Sequence, residues 1–179
     1  KKIALITGIS GQDGAYLADF LLKKKYKVIG SDRRSARNSQ WRLKRLNIDN
    51  KIIYEDLELR ELYEAERLFK KYQFDEVYNL AAQSFVGTSF SSPINTSNIT
   101  GLGVLRILEC IRNNSPKTKF YQASSSEMFG DVLEKKRARA SLQQIIYELE
   151  SSLQIVHAPI ILNGSGYGIF ANHSLVMAA

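Results

Sequence analysis

Eight residues near the start of the chain, Thr7-Gly8-Ile9-Ser10-Gly11-Gln12-Asp13-Gly14, carry glycines at i, i+3 and i+6. Before them, Lys2 to Thr7 holds Ile3, Ala4, Leu5 and Ile6 in unbroken apolar sequence. Parallel strands look like this when helices cover both faces of the sheet. After them, Gly14 to Lys24 places Leu17, Phe20, Leu21 and Lys24 at helical spacing. A glycine-rich turn from a buried strand into a helix constrains the fold more than any other feature here, because it opens a βαβ unit. Gly8 permits the tight turn, and Gly14 lets the helix pack close to the sheet.

The rest of the first two-thirds continues the alternation. Strands are predicted over Lys27 to Ser31, Lys51 to Tyr54, Glu76 to Leu80 and Lys119 to Gln122. Arg33 to Asn50 is polar and basic, with a short helix expected around Trp41 to Leu46. Leu59 to Tyr72 reads as an amphipathic helix with Leu62, Ala65, Phe69 and Tyr72 on one stripe. A polar loop is expected over Ala81 to Ser92. Pro93 then opens one helix carrying Ile99, Leu102, Leu105, Leu108 and Ile111 and ending near Asn113. The fold class is α/β, a Rossmann-type doubly wound parallel sheet with right-handed crossovers. After Gly130 the pattern changes. A charged helix is expected over Glu134 to Leu153, then a β-like run from Ile155 to Leu162 interrupted by Pro159, then turns at Gly164, Gly166 and Gly168. The domain reading is therefore a dinucleotide-binding domain over 1–130 and a divergent tail over 131–179 that could complete the sheet.

Composition narrows the function classes. A chain of 179 residues suffices for one domain with a proper core. No run of eighteen apolar residues exists, and the N-terminal apolar stretch is too short for a signal peptide, so a cytoplasmic protein without membrane insertion is expected. The single cysteine, Cys110, excludes an internal disulfide and a cysteine-based zinc site, and reads as a small apolar residue on a helix. His157 and His173 have no carboxylate or second histidine spaced to join them, and no metal site is expected. The net charge of +7 gathers around Lys23 to Lys27, Arg33 to Arg45 and Lys135 to Arg139. Clustered cations can serve nucleic acid. No nucleic-acid-binding motif accompanies these, so solvated helix faces and a phosphate site are the simpler reading.

In the strand–helix context, Gly11 lets a backbone approach a pyrophosphate with no Cβ in the way, while the helix N-terminus offers free N–H donors. The adenosine ribose of a dinucleotide would meet the end of the second strand, at Ser31-Asp32-Arg33-Arg34. An acidic residue there binds a ribose 2′-hydroxyl and favours NAD. Arg33 and Arg34 argue for NADP, since guanidinium forks suit a 2′-phosphate. Neighbours on a strand end point to opposite sides, and the residues alone leave both cofactors open.

The stretch Ile6 to Leu17, with its Gly11-Gln12-Asp13-Gly14 element, resembles the opening of GDP-mannose 4,6-dehydratases, which are extended short-chain dehydrogenases/reductases. Further matches follow in the same order at Asp32 to Ser35, Asp75 to Ser84 and Phe120 to Gly130. The resemblance covers roughly residues 1 to 130. It implies NADP as cofactor and GDP-mannose as substrate, converted to GDP-4-keto-6-deoxymannose by a lyase. Nucleotide-sugar metabolism would be its setting. Gly8, Ile9, Ser10, Gly11, Gln12, Asp13 and Gly14 would hold the pyrophosphate, and Arg33 would meet the 2′-phosphate. Asp56 and Leu57 would flank the adenine. Leu80, Ala81, Ala82, Gln83 and Ser84 would run along the cofactor. The resemblance makes Ser125 the hydroxyl beside the reacting C4 oxygen and Glu127 the acid/base of the dehydration.

The resemblance then breaks. A Tyr-x-x-x-Lys pair should follow some twenty residues or more after Glu127, yet Tyr147 is followed at i+4 by Ser151 and Tyr167 by Ala171. No lysine occurs after Lys136. The chain also ends near the midpoint of such enzymes, so the fold is expected to be truncated, its substrate domain missing. The alternatives are a catalytically disabled NADP-binding module of the same family and another extended dehydrogenase/reductase such as a sugar-nucleotide epimerase. Self-association into a homo-oligomer, with the basic stretch Arg33 to Arg45 at the interface, is a further expectation of the resemblance.

Overall fold

The computed structural model describes residues 1–35, 39–83, 85–123, 160–162 and 169–171. Its first strand, β1 (Ile3–Thr7), lies at the centre of the sheet with Ala4, Leu5 and Ile6 fully buried. It pairs in parallel with β2 (Lys27–Asp32) on one side and with β4 (Glu76–Asn79) on the other. Strand β3 (Ile53–Asp56) pairs in parallel with the outer edge of β2, and β5 (Lys119–Gln122) lies next to β4. The resulting order, β3-β2-β1-β4-β5, is that of a Rossmann sheet. The register aligns Thr7 with Ser31 and with Asn79, and Asp32 with Asp56. The carboxyl ends of four strands therefore share one edge, where open α/β sheets bind ligands.

Helix α1 (Gln12–Lys23) buries Gly14, Ala15, Ala18 and Leu21. It starts two residues earlier than the apolar stripe indicated, because Gln12 and Asp13 are polar first-turn residues that periodicity does not register. The short helix α2 (Trp41–Arg45) forms where expected and buries Leu43. A 3-10 turn over Asp49–Lys51 pushes β3 two residues downstream of its predicted start. Helix α3 (Leu62–Lys71) buries Ala65, Leu68 and Phe69, and Phe69 meets Phe74 edge-on at 5.1 Å. Leu62 stays 40% exposed, so it is not part of the buried stripe.

The polar stretch after β4 departs from the expected loop. Residues Val86–Ser91 form a helix, α4. Ser91 Oγ donates to the carbonyls of Gly87 and Thr88, and Thr96 Oγ1 to that of Ser92. Such residues favour loops only while their side chains compete with the helix, and here they bond back into it. Pro93 does open a helix, but the single helix expected is two, α5 (Pro93–Thr100) and α6 (Leu102–Asn114), broken at Gly101. Helix α6 buries Ile107, Leu108, Cys110 and Ile111 and packs on α3.

The chain forms two compact units, Lys1–Phe120 and Tyr121–Ala179. In the second, β6 (Ile160–Leu162) pairs antiparallel with β7 (Ile169–Ala171). Strand β6 falls inside the predicted β-like run. The helix expected over Glu134 to Leu153 and the domain boundary read at residue 130 lie outside the described residues.

Candidate functional site

The loop between β1 and α1 is shaped by its glycines. Gly8 has a φ of +68°, in the left-handed region that side chains avoid. Its N–H and that of Ile9 both donate to the Ser31 carbonyl, at 2.8 and 3.3 Å, tying the loop to the end of β2. Gly11 N–H returns to the Gly8 carbonyl at 3.0 Å. A Cβ at Gly14 would sit 2.5 Å from the Gly8 carbonyl oxygen and 2.7 Å from Ile9 Cα, so only glycine lets the helix start this close to the loop. The Ile9 side chain is fully buried and lies over Gly30, where a Cβ would come within 2.3 Å of its Cδ1. Ile9 thus anchors the loop in the core and can offer only backbone to a ligand. Gly11, Gln12 and Asp13 are exposed. The amides of Gln12, Asp13 and Gly14, in the first turn of α1, have no acceptor within the helix and form the positive end of its dipole.

The segment after β4 runs beside this loop. Thr7 Oγ1 accepts from the amides of Leu80 and Ala81, at 3.2 and 3.1 Å, and donates to Asn79 Oδ1 at 2.5 Å. Ala81 comes so close to Gly8 that a Cβ there would lie 3.0 Å from the Ala81 nitrogen. Ala82 is exposed, while the Gln83 side chain brackets the Phe85 backbone, accepting from its N–H at 3.0 Å and donating to its carbonyl at 2.8 Å. Leu80 and Ala81 therefore lie beside the glycine loop, while Gln83 is tied to Phe85 and Thr100. Ser84 lies outside the described residues, as do Ser125, Glu127, Tyr147 and Tyr167.

At the end of β2 a cleft of about 390 Å³ opens among Asp32, Arg33, Arg34, Ser35, Ser39 and Lys44. Tyr54 and Asp56 line its far side. Three cations, two carboxylates and three hydroxyls surround this one opening. Leu57, by contrast, is a core residue whose amide donates to the Asp32 carbonyl at 3.0 Å. The Asp32 carboxylate turns to the glycine loop and to β3. Its Oδ2 accepts from the Ser10 amide at 3.2 Å and from the Tyr54 hydroxyl at 3.3 Å. Burial pushes the Asp32 carboxyl above its ordinary range, against the pull of these donors. Burial, then the charge of Asp32, raises the Tyr54 phenol too. Arg42 completes the setting by donating to the Ser10 carbonyl at 3.1 Å. Local spacing does not mark Arg42, Tyr54 and Thr7 as site residues, because their partners lie 32, 22 and 72 or more positions away.

Among the described residues, no group of three or more His, Cys, Asp or Glu side chains could hold a metal, and no helix is long and apolar enough to cross a membrane.

A family profile described as GDP-mannose 4,6 dehydratase matches residues 5–141. A second, described as an uncharacterized protein conserved in bacteria, matches residues 118–179. The GDP-mannose 4,6-dehydratase of Vibrio cholerae serotype O1 is 48% identical over 143 residues, which are 75% of this chain and 38% of that protein. GDP-mannose 4,6 dehydratase 1 of Arabidopsis thaliana is 44% identical over 142 residues, 74% of this chain and 39% of that protein. The chain thus spans under two-fifths of the length of these relatives. Among solved structures, a UDP-glucose 4-epimerase of Bifidobacterium longum in complex with NAD+ and UDP superposes with a TM-score of 0.69 at 21% identity, covering 84% of this chain and 50% of that one. One from Thermus thermophilus in complex with NAD gives 0.66 at 23% identity, covering 85% and 51%. At these identities the likeness concerns the fold.

Proposed function

This chain belongs to the GDP-mannose 4,6-dehydratase family, and from that premise we propose that it is the NADP-binding part of an enzyme converting GDP-mannose to GDP-4-keto-6-deoxymannose. The observation that carries the cofactor reading is the basic, hydroxyl-lined cleft at the end of β2, on the same sheet edge as a glycine loop. NAD needs a carboxylate free to take a ribose 2′-hydroxyl. Here Oδ2 of Asp32 is engaged by Ser10 and Tyr54, while Arg33, Arg34 and Lys44 line the same opening and suit a 2′-phosphate. The free first-turn amides of α1 suit the pyrophosphate, and the glycine at 14 lets the helix that carries them start against the loop.

When bound, the nicotinamide supplies a reversible hydride store, taking hydride from the sugar and returning it, so no net oxidation results. The residues carry the rest. Gly8 to Gly14 hold the pyrophosphate, Arg33 meets the 2′-phosphate, Asp56 and the Leu57 backbone flank the adenine, and Leu80 to Ser84 line the path toward the reacting end. The Ser125 hydroxyl hydrogen-bonds the C4 oxygen as its charge changes. Glu127 moves the protons at C5 and C6 as water leaves. A cytoplasmic location fits a nucleotide-sugar enzyme.

A second reading is NADP binding without turnover. It is favoured by one observation: no Tyr-x-x-x-Lys pair follows Glu127. That pair puts an ammonium one helical turn from a phenol and lowers its pKa, so that the phenol can act as a base near neutral pH.

Two measurements decide. Calorimetry with NADP+ and NAD+ should show NADP+ binding more tightly, and Arg33→Ala should cut that preference about tenfold, the worth of one charge-assisted contact. Equal affinities in the unaltered chain would remove the NADP assignment. Mass spectrometry of the chain incubated with NADP+ and GDP-mannose should show the loss of one water if it acts as a dehydratase. Binding without that loss establishes the second reading.

A further inference from the structure

Of the four residues 8 to 11 that make the phosphate loop, three send their amides to backbone carbonyls: Gly8 and Ile9 to Ser31, Gly11 to Gly8. Ser10 is different. Its N–H goes to the Asp32 carboxylate at 3.2 Å, and its carbonyl takes a hydrogen bond from the Arg42 guanidinium at 3.1 Å. One backbone residue is held at its donor by an anion from β2 and at its acceptor by a cation from α2. Bonds with one charged partner are about twice as strong as neutral ones, so the pair outweighs any other tether on the loop.

Both side chains are themselves fixed. Tyr54 donates to the same Asp32 oxygen at 3.3 Å, and the Arg42 guanidinium stacks over the Trp41 ring at 4.3 Å. The Ser10 carbonyl belongs to the peptide unit that carries the Gly11 N–H. Orienting it sets the Gly11 backbone, and with it the start of α1 and the direction of the free amides at Gln12, Asp13 and Gly14.

We propose that Asp32 and Arg42 are positioning residues for the phosphate loop, holding the Ser10 backbone from its two ends, and that neither touches the cofactor's ribose or its 2′-phosphate. This rests on the reading of the edge as a dinucleotide site. It differs from what each residue type at this place would suggest, an acidic ribose ligand and a basic phosphate ligand. Asp32 gives its Oδ2 to the Ser10 amide and Tyr54, and Arg42 gives one guanidinium N–H to the Ser10 carbonyl. The loop that takes the pyrophosphate and the cleft that takes the adenosine end are thereby built from one set of bonds.

The test compares the full chain with its Asp32→Asn, Arg42→Ala and Arg42→Lys variants. Affinities for NAD+ and NADP+ are measured by calorimetry, and amide hydrogen exchange over residues 8–14 is followed without nucleotide. Positioning predicts that Asp32→Asn and Arg42→Ala each weaken both nucleotides by the same factor, about tenfold. The NADP+ to NAD+ ratio then stays fixed. Exchange over residues 8–14 speeds up while the melting temperature does not fall, and Arg42→Lys recovers part of each effect.

A ratio that moves toward NADP+ in Asp32→Asn, or toward NAD+ in Arg42→Ala, would make that side chain a direct ligand and overturn the proposal. Unchanged exchange over residues 8–14 would overturn it as well. If the unaltered chain binds neither nucleotide, the cofactor reading fails, and the exchange measurement by itself decides whether the loop is held this way. Should either main variant not fold, Tyr54→Phe removes only one donor to Asp32, and faster exchange over residues 8–14 is expected there too.

Discussion

Asp32 shows how a carboxylate at a strand end can be kept at a cost to stability. Burial raises its pKa above the ordinary carboxylate value although Ser10 and Tyr54 both donate to it. A group whose pKa is raised by folding binds its proton more tightly in the folded state. It therefore favours folding below its unfolded pKa, about 3.9, and that contribution is lost as pH rises through the higher folded value. At neutral pH the ionised side chain is a net burden on the fold. Asp32→Asn removes the buried charge and leaves Ser10 only a weaker, neutral acceptor. It should raise the melting temperature at pH 7, with the gap closing as pH drops below about 4. Melting curves at several pH values check this. A variant that melts lower at pH 7 would mean that the charged hydrogen bonds outweigh the desolvation. The sequence offers Asp32 and Arg33 as rivals for the same ribose; in the fold both line the cleft, and Asp32 also holds the Ser10 amide through Oδ2, a tie that local spacing does not report.

Where β1 and β4 end side by side, one threonine joins them. The Thr7 hydroxyl serves the amides of Leu80 and Ala81 and the side chain of Asn79, all in a region where Thr7 and Asn79 are buried. Thr7→Val keeps the shape but strands two donors and one acceptor, each costing roughly 1–3 kcal/mol if left unpaired. Partial relaxation toward solvent at Leu80 and Ala81 should hold the total to about 3 kcal/mol. Urea titration should show a lower midpoint at an unchanged slope, and Thr7→Ser should recover most of the loss. Helix and strand identities were legible from the sequence because apolar periodicity reports burial. The strand–glycine–helix opening and the buried β1 follow from it, and the stripes on α3 and α6 follow in part: Ala65, Phe69, Leu108 and Ile111 are buried, while Leu62 and Leu102 are exposed. Not legible were α4, where the Ser91 hydroxyl bonds back to the helix backbone, and the break at Gly101, which periodicity runs straight through. Illegible for a different reason were Thr7, Tyr54 and Arg42: contacts across 22 or more positions leave no trace in local spacing.

Cys110 gives a way to ask whether the glycine-loop edge and the far helices open together. It is the one cysteine of the chain, it lies buried in α6, and burial pushes its thiol up to about 12. The thiolate is the reactive form, so a thiol reagent at pH 8 meets almost none of it until α6 opens to solvent. Two kinds of opening are possible in physical terms. In the first, α6 leaves only with the whole of Lys1–Phe120, because its Ile107, Leu108 and Ile111 belong to the same core as the sheet. In the second, α6 and α3 separate locally while β1, β2 and α1 stay in place. A nucleotide bound at the loop distinguishes them. Ligand that binds only the folded unit lowers the global open population by about 100-fold at a concentration 100 times its Kd, equivalent to about 2.7 kcal/mol. It leaves a local opening unchanged. With one continuous core, NADP+ should slow labelling of Cys110 by about that factor, provided closing outpaces the chemistry, which is checked by rates that scale with reagent concentration. Labelling indifferent to nucleotide would mean that α6 opens by itself, and that the unit is less cooperative than its shared core indicates.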